Sequence, residues 1–416
     1  MSIICGTDLS PGSLHAVAVA RALAAQRGDA GIILVHVVDE DRDAGKARAA
    51  LDAFAATIPT TATAVPVTLR TELLVGAAEE ALVSFADTEG SDLIVISASS
   101  SPATLLRLGS TAEKLIVASS IPVLVVRDPQ PWLEFAAGKR PLRLLLGIDD
   151  SVACDLGIQW THALRQRGPV EVVLGAIYYP DDAADHYGFE AKALVDSDLD
   201  VEKLITRDLL RKFGANENVE ARALRGLGRI GDHVIELAKE AKVDAIVVGT
   251  TQKTGMGRLG SVSSIIVSEA PQSVMCVPPN ANIPTMFVPR LHSALVATDL
   301  STFANRAVPF AFALTDEGGE VHIAHVVDDD AEINEPEVLK ALTALAPQSM
   351  QRTVHAHILR GDDAAKTIAQ AAARLGVDAI TIASHGRSGI TRALVGSVAD
   401  KLLRATRKPI LVLRPA

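Results

Sequence analysis

A chain of 416 residues is longer than one hydrophobic core usually spans, so about two to four domains are expected, and its apolar, aromatic-poor composition suits buried parallel strands covered by Ala-rich helices. A formal net charge of −10 excludes a general nucleic-acid or anionic-membrane binder, because either needs a basic surface. Cys5, Cys154 and Cys276 have no metal or redox spacing, which excludes a disulfide framework and fits a reducing cytoplasm.

The chain opens on Met1-Ser-Ile-Ile-Cys-Gly with no basic flank and reaches Thr7-Asp8 at once, so it reads as a first strand rather than a signal peptide. No apolar run approaches the roughly 18 residues that cross a bilayer, and a soluble protein is expected. An Ala-rich helical stretch follows Asp8. A second strand runs from Ile32 to Val38, and a third extended run ends at Gly76, where glycine permits a sharp turn. After another helical segment come a fourth strand, Asp92-Leu-Ile-Val-Ile, the pair Gly109-Ser110, a helix, and a fifth strand from Pro122 to Val126. The stretch Asp128 to Pro141 reads as a linker, but Trp132, Leu133 and Phe135 make it apolar enough to pack on a domain.

The same βαβαβαβαβ order then recurs twice. Its second copy has Leu144-Leu-Leu-Gly-Ile-Asp149, Val172 to Tyr178, Gly226, a helix from Ile230 to Ala238, Asp244-Ala-Ile-Val-Val, Gly260-Ser261 and Ser273 to Val277. A longer segment, Pro180 to Val219, separates its second and third strands. With Tyr178 and Tyr179 just before it and Tyr187 inside, this region holds all the tyrosines. It reads as an amphipathic helix plus loop, with a lid or partner surface as the other reading. Asp181, Asp182, Asp185 and His186 match no metal-ligand spacing and read as solvated.

A second linker, Pro278 to Pro289, leads to the third copy: Ala294-Leu-Val-Ala-Thr-Asp299, Val321 to Val327, Gly361, a helix from Ala364 to Arg374, Asp378-Ala-Ile-Thr-Ile, Gly396-Ser397 and Pro409 to Leu413. His36-Val-Val-Asp39 and His325-Val-Val-Asp328 match residue for residue. Such alternation favours a parallel sheet with helices on both faces and right-handed crossovers. The expected architecture is three tandem flavodoxin-like α/β domains, 1–128, 141–280 and 289–416. Each has five parallel strands in the order 3-2-1-4-5.

In such a sheet ligands sit beyond the carboxyl ends of the strands where the strand order reverses, between strands one and four. In the third copy this sets Asp299 opposite the loop Ala383-Ser-His-Gly-Arg-Ser-Gly-Ile-Thr-Arg-Ala-Leu-Val-Gly-Ser397. Glycines there let backbone N–H groups approach phosphate, and the helix beginning at Ser397 favours an anion at its positive end. Residues 381–416 carry seven Lys or Arg against one acidic residue, a local excess in an acidic chain.

Here the sequence resembles the universal stress protein family. Nucleotide-binding members carry Gly, two residues, Gly, nine residues, then Gly-Ser or Gly-Thr. Gly386 and Gly396-Ser397 match with nine residues between them, while Ala383 replaces the first Gly. The resemblance covers all three copies. It implies the adenine nucleotide alpha hydrolase-like version of the fold, with ATP or another adenine nucleotide, alone or with Mg²⁺, in the third domain. By the same resemblance Asp299 lies near the nucleoside and Val327 lines the adenine pocket. Gly386, Gly396 and Ser397 receive phosphates, Ser384, His385 and Val398 flank them, and Arg387 and Arg392 add charge.

Structural roles compete with these. Ser397 with Asp400 resembles a capping box, and Asp299, like Asp8 and Asp149, suits a helix start. No nucleophile or carboxylate partner can be assigned to His385, so no catalytic residue is named. The first copy has Ser97 and Ser100 at the early glycines and one residue fewer before Gly109. The second keeps Gly249 but has Gln252 at the next Gly and two residues fewer. Neither is expected to bind ATP well.

The expected function is a cytoplasmic stress-response sensor or regulator that binds nucleotide in its third domain and passes the bound state to a protein partner, with neither nucleic acid nor membrane as a target. A ligand-independent dimeric scaffold and a slow ATPase are the alternatives. Ile410-Leu-Val-Leu413 is an apolar edge, and the family commonly pairs domains antiparallel along the fifth strand. Two domains can pair within the chain, leaving the third to seek a second copy in a homodimer.

Overall fold

The structure, a computed structural model, describes residues 2–39, 44–59, 67–98, 110–149, 151–189, 194–214, 217–250, 261–283, 291–347, 352–383 and 397–414. By contact the chain divides into one unit of residues 1–177 and 209–287 and another of residues 178–208 and 288–416.

The first unit holds two copies of the fold in one sheet. The first copy runs β1 (Ile3–Gly6), α1 (Ser13–Arg27), β2 (Gly31–Val38), α2 (Ala44–Thr57), β3 (Thr68–Val75), α3 (Ala78–Thr88), β4 (Leu93–Ser97), α4 (Ser110–Ala118) and β5 (Val123–Val126), followed by α5 (Gln130–Ala136). The second runs β6 (Leu142–Gly147), α6 (Val152–Arg165) and β7 (Val170–Tyr178). Two helices follow, α7 (Pro180–Tyr187) and α8 (Leu194–Phe213), then β8 (Val219–Arg225), α9 (Ile230–Glu240), β9 (Ala245–Gly249), α10 (Ser261–Glu269) and β10 (Ser273–Val277). The strand order is β3-β2-β1-β4-β5-β10-β9-β6-β7-β8, which is 3-2-1-4-5 twice over. Within each copy β1 pairs parallel with β2 and β4, β2 with β3, β4 with β5, β6 with β7 and β9, and β9 with β10, whereas β5 pairs antiparallel with β10, where Val123, Leu124 and Val125 face Cys276, Met275 and Val274.

That antiparallel seam leaves neither β5 nor β10 at a sheet edge. β5 and β10 are wholly buried, and one core cluster runs through both copies, from Leu82, Leu115 and Ile116 to Val234, Ile266 and Val267. Arg127 ties the seam, donating from its backbone N–H to Ser273 Oγ (3.1 Å) and from its guanidinium to the Val267 carbonyl (2.7 Å). The linker packs as its sequence suggests: in α5, Trp132 and Phe135 are fully buried. All three cysteines are free and buried, and burial pushes the Cys154 thiol up to about 11.

The second unit holds the third copy: β11 (Ser293–Ala297), a short 3-10 turn (Ala304–Ala307), α11 (Val308–Leu314), β12 (Glu320–Val327), α12 (Glu335–Ala344), β13 (Thr353–Arg360), α13 (Ala364–Leu375), β14 (Ala379–Ala383), α14 (Ser397–Ala405) and β15 (Ile410–Leu413). Its five strands are all parallel, in the order β13-β12-β11-β14-β15. The two sheet faces carry separate cores, one under α13 and α14, the other under α11. Gly361 turns β13 into α13 at φ 158°, and a Cβ there would meet Thr367 Oγ1 at 2.2 Å. α7 and the start of α8 belong to this unit and not to the copy that encodes them.

β12 and β13 bring three imidazoles together. His322 is paired in register with His355, and its ring stacks on those of His355 (4.8 Å between centroids) and His357 (5.2 Å). His322 Nδ1 lies 2.9 Å from His357 Nε2, a contact that holds one proton, because a second would set N–H against N–H. Glu320 is 3.6 Å from His322 and 3.9 Å from His355. Burial, and secondarily the neighbouring His355, lower the His357 pKa below the usual 6.5. Between that lowered value and 6.5 the unfolded chain binds a proton the folded one does not. The contribution to stability is therefore complete above about pH 6.5 and lost as pH falls through the folded value. We expect the melting temperature of this unit to drop between about pH 7.5 and about pH 5.5, and to drop less in His357→Gln. An equal drop in both proteins would assign the acid sensitivity elsewhere.

Candidate functional site

The crevice beyond β11 and β14 is where the strand order reverses. β12 continues the sheet on one side of β11 and β14 on the other, so chains leaving β11 and β14 diverge to opposite faces. A cavity of about 280 Å³ opens there. Ala297, Val326, Ile368 and Ile382 give it apolar walls, and Thr298, Asp299, His325 and Ser397 give it polar groups.

Thr298, Asp299 and His325 are each held by a local device. Asp299 Oδ1 accepts from the Ser301 backbone N–H (2.9 Å), closing a turn into the following helix. The same turn is built twice more, by Asp8 with Ser10 (3.0 Å) and by Asp149 with Ser151 (2.8 Å). In the first copy burial works against ionisation of Asp8, and hydrogen bonds from Ser10 and Ser13 outweigh it and lower its pKa. Thr298 Oγ1 accepts from the Leu300 N–H (3.0 Å), which steadies Leu300 in the left-handed region at φ 63°; Thr7 does the same for Leu9 at φ 60°. His325 Nδ1 contacts the Thr298 carbonyl at 2.9 Å, as His36 does the Thr7 carbonyl. Ser397 is the first residue of α14 and is exposed, and with Val398 and Ala399 it brings the first turn of that helix to the cavity.

Of the residues singled out from sequence, Asp299, Ala383, Ser397 and Val398 come together around this cavity. Val327 does not line it; its neighbour Val326 does, while Val327 is buried beside it in β12. Ser384, His385, Gly386, Arg387, Arg392 and Gly396 lie outside the described residues. Sequence reasoning missed Thr298, His325, Ala364, Ile368 and Ile382 as wall residues. The repeated His-Val-Val-Asp was the available signal for His325, since its match in the first copy marks a fixed position at the end of strand two. Among the described residues no group of three His, Cys, Asp or Glu side chains is disposed to hold a metal ion, and no helix is long and apolar enough to cross a membrane.

A sequence profile of the universal stress protein family matches residues 1–127, 142–278 and 291–414. The chain belongs to that family. As a three-copy universal stress protein it is similar to universal stress proteins of Mycobacterium bovis and Mycobacterium tuberculosis, each 30% identical over 200 residues. The match spans 44% of this chain and 64% of the length of those relatives. Among solved structures it is similar to a universal stress protein of Archaeoglobus fulgidus, with 16% identity, a TM-score of 0.48, and 67% of this chain and 98% of the other covered. A universal stress protein solved in complex with cAMP aligns at 26% identity and a TM-score of 0.25, covering 30% of this chain and 96% of the other.

Proposed function

We infer that the third copy binds an adenine nucleotide, ATP in the first instance, and that the chain is a regulator whose bound state is read by a protein partner. The observation that carries this reading is the cavity at the switch point, bounded by Asp299 on one side and Ser397 on the other. Its apolar walls suit a flat base, the Asp299 carboxylate suits ribose hydroxyls, and the first turn of α14 suits phosphate. In this reading the cavity of about 280 Å³ takes the nucleoside, and the phosphates run to the start of α14 at Ser397. The matched spacing of Gly386, Gly396 and Ser397 supplies further backbone donors to them. No group is assigned to hydrolysis, which needs an oriented water and usually a metal such as Mg²⁺.

The degraded loops of the first two copies imply one nucleotide per chain. Titration of the full chain with ATP by calorimetry is expected to give a stoichiometry near one. A value near two or three would return the first copies to nucleotide binding, and no heat together with no thermal stabilisation would leave a scaffold.

The scaffold reading has an observation of its own. β15 ends its sheet, and its four residues are each partly exposed, whereas β5 and β10 are buried in their seam. A second copy of the chain, joined antiparallel along β15, would cover it and give a two-fold homodimer that coexists with nucleotide binding.

A further inference from the structure

Between β7 and β8 stand two helices where each of the other copies has one, α2 or α12, and the first of the two, α7, lies against α13 in the second unit. α13 is buried over a wider arc than its sheet requires. Ala365, Ile368, Ala369, Ala371 and Ala372 face the core, while Ala373 is also buried but is not part of that core cluster. Besides the sheet, α13 meets α14 and α7, and in α7 Ala183, Ala184 and Tyr187 are buried.

Polar contacts bracket α13 at both ends. Near its start, Lys366 Nζ donates to Asp185 Oδ1 (2.6 Å), and Gln370 Nε2 donates to the Asp185 carbonyl (2.9 Å). At its end, the Arg207 guanidinium donates to the Arg374 carbonyl (2.5 Å) and the Ala373 carbonyl (2.7 Å). The Ala373 carbonyl already accepts from the Gly376 N–H that caps the helix (3.0 Å), so the guanidinium adds a second donor there, and as a cation it opposes the negative end of the helix dipole. Arg207 is itself fixed by Asp208, which also accepts from the Tyr187 hydroxyl (3.0 Å). Gly188 closes α7 at φ 70° and lies so near the Gln370 side chain that a Cβ would approach its Oε1 to 2.9 Å.

α13 is also a wall of the cavity, through Ala364 and Ile368 in its first turns. Its cap, Asp363, accepts from Lys401 of α14 at 3.2 Å, so the helix is tied to the one that begins at Ser397. We propose that α7 and residues 200–208 of α8, encoded within the second copy, form a clamp that positions α13 of the third, with Arg207 and Asp185 as positioning residues for the ligand cavity. The link to ligand affinity rests on the nucleotide reading given above; the link to the helix does not.

Two readouts on the full chain separate these. Arg207→Met removes both carbonyl contacts and keeps an apolar stem, and is expected to raise amide exchange in the last turn of α13 by about tenfold and to weaken ATP binding several-fold. Arg207→Lys, which keeps one donor at the carbonyls, is expected to recover part of both. A charge reversal supplies the independent arm: Asp185→Lys and Lys366→Asp each loosen α13, and the two together restore its protection. Unchanged exchange in Arg207→Met overturns the clamp. Raised exchange with unchanged ATP affinity overturns the link to the cavity, and absence of ATP binding by the wild-type chain overturns the nucleotide reading and that link together, while exchange still decides the clamp.

Discussion

Asp299→Ala is expected to weaken ATP binding to the full chain by about tenfold to a hundredfold, the loss that goes with removing a charged hydrogen-bond partner. The same substitution at Asp8 or Asp149 is expected to leave binding unchanged. All three carboxylates build the same turn into the following helix, so each Ala variant should lose stability by a similar amount, about 1 kcal/mol. Only Asp299 also lines the cavity of the third copy. Asp299→Asn separates the two roles, because it keeps an oxygen for the Ser301 N–H and removes the charge. Calorimetric titration of the four variants against wild type makes the comparison. If Asp299→Ala falls in stability like the others but binds ATP like the wild type, the carboxylate belongs to the turn alone and the ribose assignment is withdrawn.

The second large effect is expected at β15. Leu403 in α14 is 49% exposed, while Ile116 of α4 and Val267 of α10, six residues after the Ser of their own Gly-Ser pairs as Leu403 is after Ser397, are 2% and 0% exposed. Those two lie in the core cluster that runs through both joined copies. If the third copy repeats that arrangement with a second chain, Leu403 and the β15 edge are its buried centre. Leu403→Glu is then expected to convert dimer to monomer, raising the dissociation constant by about a hundredfold or more, since an unpaired buried charge costs several kcal/mol. Sedimentation at micromolar concentration reads the outcome. A wild-type chain that is monomeric throughout, or a Leu403→Glu protein as dimeric as wild type, would remove β15 as the interface. Retention of one ATP per chain by the monomeric variant would show that dimer and ligand site are independent.

Much of the architecture is legible along the chain because its signal is local and stated three times. The apolar run ending in Asp8, Asp149 and Asp299, the Asp-led fourth strands and the Gly-Ser pairs each follow from what a strand end or a helix start demands of its own residues. Asp299 and Ser397 could be set opposite each other without coordinates, because the 3-2-1-4-5 order brings the ends of strands one and four together. The family resemblance, not the local pattern, puts Val327 at the cavity, whose wall in β12 is Val326. Adjacent residues of a strand point to opposite faces, and a pattern of Val-Val does not say which face is the pocket.

Two other features were decided only in three dimensions. Val123-Leu-Val-Val126 and Ile410-Leu-Val-Leu413 are nearly the same text, yet one is a buried seam and the other a sheet edge, because burial of a fifth strand depends on which partner is present and not on its own residues. The segment 178–208 stands in the second copy by sequence but groups with the third by contact, and one of its holds there is Arg207 on the carbonyls of Ala373 and Arg374. Backbone carbonyls are the same at every residue, so a contact made to them leaves no mark in the sequence of the helix that receives it, and only the packed structure brings donor and acceptor together.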